Sequence, residues 1–148
     1  MKLTKAQSYA RLRDEQFSLF EDYARKHGMN SKSLLVLMWV YHFPSGMTQR
    51  QLAERTFSTK QVMQAIIKNY LKKGWVYLEA SQLDRRQKIV KLTENGNEQV
   101  KELIGPLQRY EAEAMASLSE EQQEQLLAAT QAYSQKFKEL IENTGDNL

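Results

Sequence analysis

A chain of 148 residues with a net charge of +3 and 41% hydrophobic residues can build one core, at the low end for a self-sufficient monomer. It has no run of about 18 apolar residues, no secretory pattern in Met1-Lys2-Leu3-Thr4-Lys5, and no cysteine for disulfides, zinc thiolates or redox switching. A membrane span is thereby excluded, a cytoplasmic location is the simplest reading, and some apolar helix faces are expected to lie between chains.

The predicted elements run as follows. Tyr9, Leu12, Phe17, Leu19, Phe20 and Tyr23 recur with a helical period over residues 5–26. His27-Gly28 ends that helix, since glycine accepts the left-handed turn. Ser31 is the expected N-cap of a second helix through Leu34, Leu35, Leu37, Met38, Val40 and Tyr41, apolar almost all round and so the buried strut of the fold. Phe43-Pro44-Ser45-Gly46 closes it. Thr48 and Gln51 form a capping box that opens a short helix to about Arg55. After the turn Phe57-Ser58-Thr59 comes a helix from Thr59 to Lys73, ended by Gly74. Its wheel puts Val62, Met63, Ile66, Ile67 and Tyr70 on one side and Lys60, Gln61, Gln64, Lys68 and Lys72 on the other.

Residues 75–79 and 88–92 are β-rich and flank a polar loop from Ser81 to Gln87, so they read as a two-stranded hairpin. Thr93 caps a long helix carrying Val100, Leu103, Ile104, Leu107, Ala114 and Leu118, which Gly105-Pro106 should kink or interrupt. Ser119 and Gln122 cap a last helix through Leu126, Leu127, Tyr133, Phe137, Leu140 and Ile141. The Gly145-Asp146-Asn147 tail is expected to fray.

Charge follows this order of parts. Residues 1–47 carry +3, residues 48–93 carry +7 and residues 94–148 carry −7. A basic segment beside an acidic one suits a polyanion-binding module on a solvated helical frame, and equally two ordinary solvated faces. The motifs favour the first. Lys60, Gln61 and Gln64, in the opening turns of the helix that Thr59 starts, suit the donor and acceptor pattern of the DNA major groove. Lys68 and Lys72, further along, suit phosphates or solvent. Arg85, Arg86 and Lys88 make the hairpin loop basic, and an arginine at such a tip can enter the minor groove. Asp84 is out of place there unless it pairs with Arg86 or closes the turn.

Taken together, Gln51-Leu52-Ala53-Glu54, Leu71-Lys72-Lys73-Gly74-Trp75-Val76, Asp84-Arg85-Arg86 and Lys91-Leu92-Thr93-Glu94-Asn95-Gly96 resemble the multiple antibiotic resistance regulator (MarR) family of dimeric winged-helix transcription regulators. The resemblance extends over nearly the whole chain, and Tyr70 departs from it, standing where leucine is usual. It implies a mainly α fold with a small β-hairpin wing, a winged helix-turn-helix lobe over residues 31–93, and dimerisation helices over 1–28 and 94–148. It also implies that Thr59 to Lys73 is the recognition helix and that Arg86 reaches the minor groove with Asp84 as its support. The partners would be double-stranded DNA and a second copy of the chain.

Family resemblance further implies a pocket for small phenolic or other aromatic molecules, with Phe17, Phe20, Trp39 and His42 as its candidate lining. On their own these residues read as core and dimer interface. His27 and His42 have no metal-ligand spacing, and no cofactor or metal is expected. Nor is an enzyme, because no phosphate loop, nucleophile elbow or convincing acid pair is present. The competing reading is a winged-helix module that contacts protein or RNA without sequence-specific DNA binding.

Overall fold

Six helices and three short strands make up residues 2–145, the part of the chain that the computed structural model describes. They pack as two units, Met1–Gly105 and Pro106–Leu148. The first holds α1 (Lys5–Lys26), α2 (Ser31–His42), β1 (Met47–Thr48), α3 (Gln49–Thr56), α4 (Lys60–Lys72), β2 (Val76–Ala80), β3 (Lys88–Leu92) and the start of α5 (Glu94–Ala116). The fold is mainly α with a small antiparallel sheet.

Side-chain caps set the helix starts. Thr4 and Gln7 form a capping box on α1, their reciprocal bonds 3.1 and 2.9 Å long. On α2 the cap is Asn30 rather than Ser31: its side-chain oxygen accepts from the Ser33 N–H at 2.8 Å, and Ser31 is already the first helical residue. An Asn one position earlier has the shorter reach to that orphan donor. From there α2 buries Leu34, Val36, Leu37 and Val40, and none of its residues before His42 is exposed, as a central strut requires.

Around α2 the core gathers Ala24 from α1, Leu52 from α3, Val76 and Val90 from the sheet, and Val100, Leu103 and Ile104 from α5. Helix α4 adds Met63, Ile66, Ile67 and Tyr70. Val62, expected among them, is 44% exposed instead. The seat for α4 is only wide enough for the centre of its apolar arc, and Val62 falls beyond the edge. Tyr70 shows how a tyrosine fits in this core. Its ring stacks on Trp75 at 5.8 Å, and its hydroxyl donates to the Ser33 carbonyl oxygen at 2.8 Å.

The sheet has three strands, in the order β1-β3-β2, rather than the two of the expected hairpin. Met47 pairs with Val90 and Thr48 with Ile89, which satisfies the second edge of β3. Two residues are too few to show an alternating pattern, and Thr48 also caps α3, so the strand leaves little trace in the sequence. Behind the sheet, Gly96 lies against the backbone of Trp75. A Cβ there would collide with the Trp75 carbonyl oxygen and come within 2.7 and 2.8 Å of its carbonyl and α carbons. Thr93 completes this joint, its hydroxyl accepting from the Gly96 N–H at 2.9 Å and donating to the Gly74 oxygen at 2.6 Å.

The second unit comprises the end of α5 and α6 (Glu120–Gly145), which opens with the Ser119–Gln122 capping box. Helix α5 is not interrupted at Gly105-Pro106. Pro106 has no N–H to donate to the Glu102 carbonyl, yet the glycine before it has no Cβ to clash with the ring, which removes part of the penalty. Helical structure extends to Gly145; Asp146 and Asn147, where fraying is expected, lie outside the described residues. Among the described residues, no helix is long and apolar enough to cross a membrane.

Candidate nucleic-acid interface

Two capped helices and a loop build this surface. The Thr48–Gln51 box starts α3, and the Thr59 hydroxyl accepts from the Val62 N–H at 3.1 Å to start α4. Between them the chain turns at Phe57, whose φ of 55° is left-handed and whose side chain is 90% exposed. An L-residue is strained in that conformation. The turn is held from below by Lys32, whose ammonium donates to the carbonyl oxygens of Thr56 at 2.6 Å and Phe57 at 3.3 Å.

Opposite the buried arc of α4, Gln61, Ala65, Lys68 and Lys72 follow one another at helical spacing, all exposed. Gln64 flanks this stripe on one side, Val62 and Asn69 on the other. Lys60 and Gln64 also line the groove of about 430 Å³ between α3 and α4, together with Arg50 and Ser58. Thr59, Lys60, Gln61, Gln64 and Lys68 therefore share the outward side of α4 and its first turn. Val62 and Ala65 belong to the same surface although they are apolar, and Asn69 adds a further amide to it.

At the other end, β2 and β3 pair from Val76↔Leu92 to Ala80↔Lys88 and project the loop between them. The loop is internally bonded. The Ser81 N–H donates to the Gln87 oxygen at 3.0 Å, and the Gln87 N–H to the Asp84 oxygen at 2.9 Å. Asp84 fills both roles proposed for it. Its carboxylate accepts from the Arg86 backbone N–H at 3.1 Å, closing the turn, and from the Arg86 guanidinium Nε at 3.4 Å. The guanidinium is thus oriented by a neighbour while its side chain stays 93% exposed. Arg85 and Lys88 are exposed beside it.

The remaining basic residues of this segment are engaged elsewhere. Arg50 pairs with Glu54 at 3.4 Å, Arg55 lies over the Trp39 ring at 5.3 Å and Lys73 over Trp75 at 4.8 Å. Lys91 pairs with Glu79 at 2.6 Å, and the hydrogen bond that its ammonium donates to that carboxylate raises its pKa above the ordinary value. Among the described residues, Lys60, Lys68, Lys72, Arg85 and Lys88 make no ion pair. Within this segment the unpaired cations therefore lie on α4 and the wing, where Arg86 has its loop neighbour Asp84 as partner.

The four aromatic-pocket candidates do not converge. Trp39 and His42 line a hollow of about 340 Å³ with Leu35, Met38 and Phe43, the Phe43 ring stacked 5.5 Å from Trp39. Phe17 and Phe20 are not part of it; Phe17 is exposed and Phe20 half-buried. Among the described residues, no three His, Cys, Asp or Glu come together as a metal site would need.

Residues 27–87 match the profile of the MarR family. No curated protein matches the sequence. Solved structures do match the fold. The MarR family regulator NMB1585 from Neisseria meningitidis has a TM-score of 0.81 at 18% identity, over 96% of this chain and 99% of that one. Staphylococcus aureus MepR in its DNA-binding conformation has a TM-score of 0.78 at 20% identity, over 91% and 99%. The S. aureus MepR–DNA complex has a TM-score of 0.73 at 20% identity, over 92% and 99%.

Proposed function

We propose that this chain, a MarR-family winged-helix protein by the match over residues 27–87, works as a homodimeric repressor that occupies a pseudo-palindromic operator. The winged-helix lobe is residues 31–93, and residues 1–28 with 94–148 supply the dimer helices. In each half-site α4 lies in the major groove, with Thr59, Lys60, Gln61 and Gln64 toward the bases and Lys68 toward phosphate. Arg86 enters the adjacent minor groove, oriented by Asp84 and flanked by Arg85 and Lys88. The observation that carries this reading is the partition of the cations. Among the described residues, Lys60, Lys68 and Lys72 on α4 and Arg85 and Lys88 on the wing make no ion pair, and Arg86 is held only by Asp84 of its own loop, whereas the other basic residues between Thr48 and Thr93 are paired with acids or stacked on rings.

A second copy would cover the apolar side chains that α1 and α6 leave exposed, Leu12, Phe17 and Leu19 on one and Leu127, Phe137, Leu140 and Ile141 on the other. Two-fold symmetry then sets two recognition helices about one DNA turn, roughly 34 Å, apart. A small aromatic or phenolic effector, seated against Trp39 and His42, would release DNA if it bound better to a conformer with a different helix spacing. The chemistry is recognition alone; no bond is made or broken.

The test is salt dependence. Affinity for duplex DNA, followed by fluorescence anisotropy from 50 to 200 mM salt, should fall with a log–log slope of about −5 to −10. A flat dependence, or no binding at low salt, would contradict the proposal.

A further inference from the structure

We infer that Val62 reads the 5-methyl group of a thymine in each half-site. The inference rests on the reading of α4 as the major-groove helix and adds to it a base that no hydrogen bond selects. Three observations lead there. Val62 sits in the first turn of α4, the part of a recognition helix that meets base edges, and its own N–H is tied to the Thr59 cap. Its side chain is 44% exposed although Met63 beside it is 1% exposed. Ala65, one turn on and also exposed, extends Val62 into a small apolar strip bordered by Gln61, Lys68 and Asn69.

A β-branched residue in solvent at a helix start adds nothing to helix propensity and leaves apolar area wet. On a face otherwise made of amides and ammoniums, it has no hydrogen bond to offer a base. The one apolar group that the major groove presents is the thymine methyl. Charge complementarity brings the face to DNA, and the strip then fits that methyl and no other base-edge group. Cytosine, which lacks the methyl, would leave the strip against a polar amino group.

Burying a single carbon of this kind contributes about 0.8 kcal/mol, or about fourfold in affinity per half-site. The experiment uses full-length protein and the duplex it selects from a random pool. Each thymine of the winner is replaced in turn by deoxyuridine, which removes the methyl and keeps every hydrogen-bonding group. Wild-type protein should lose about fourfold at one thymine per half-site. Val62→Ala, whose side chain is not in the core, should bind the thymine and deoxyuridine duplexes equally at that position. Indifference of the wild type to every replacement overturns the inference, as does a Val62→Ala protein that keeps the same methyl dependence. Failure to select any preferred duplex would overturn the DNA-binding proposal beneath it, so the two failures are distinguishable.

Discussion

Gly96→Ala should be among the most damaging single changes in this protein, although it adds one carbon to a helix. The added Cβ would meet backbone, the carbonyl group of Trp75, so no side-chain rotamer can relieve it. Overpacking costs about 1–3 kcal/mol where neighbours yield, and here they yield poorly. The joint also holds two 2.9 Å bonds, Thr93 N–H to the Trp75 oxygen and Gly96 N–H to the Thr93 hydroxyl. Stretching them forfeits part of about 1 kcal/mol each. Alanine recovers about 1 kcal/mol through its better helix propensity. The balance is a loss of about 2–3 kcal/mol. Urea unfolding followed by far-UV circular dichroism, at one fixed protein concentration, should show the midpoint falling by about 1–2 M. An unchanged or higher midpoint would mean instead that α5 and the Trp75 backbone do not press together at this glycine.

Three further outcomes are expected. Phe57→Gly should stabilise the protein by about 0.5–1 kcal/mol, since left-handed strain of about 1–2 kcal/mol is relieved and only part is returned through glycine's freedom in the unfolded chain; a lower urea midpoint would show that the ring has a partner. Tyr70→Phe should cost about 1 kcal/mol near neutral pH by removing the bond to Ser33. Burial, the larger influence, lifts the Tyr70 hydroxyl above its ordinary value of 10.0. The unfolded chain therefore releases that proton first, so the stability is present below pH 10 and lost as pH rises beyond it. Between pH 9 and 11 the wild type should lose more stability than Tyr70→Phe, and equal losses would contradict this. Arg86→Ala should weaken specific DNA binding by about 1–3 kcal/mol with no change in urea midpoint, because its side chain is almost wholly exposed; unchanged affinity at matched salt would show that the wing does not touch DNA.

Much of the lobe was legible because its signals are local. The Thr48–Gln51 box starts α3, the spacing of Met63, Ile66, Ile67 and Tyr70 marks the inner face of α4, and Asp84 lies two residues from the arginine it orients. Features set by distant parts of the chain leave weaker local signals. A helical wheel gives the direction of burial and not the width of the seat, so it points Val62 inward although the side chain lies out. Strand β1 exists only because β3 arrives beside it, and the Lys91–Glu79 pair follows from strand register. Phe57 gives no warning of a left-handed turn, since the residue is one that avoids it. Of the aromatics of α1 and α2 singled out in the sequence, Trp39 and His42 line one hollow, while Phe17 and Phe20 do not.

The central claim is sequence-specific recognition by a symmetric pair of these lobes. Selection of random duplex DNA by the purified full-length protein tests it most directly. A two-fold-symmetric site should be enriched, with half-sites separated by about one helical turn. Binding that enriches no sequence, or enriches a single asymmetric site, would contradict it and favour a winged-helix module with a different partner.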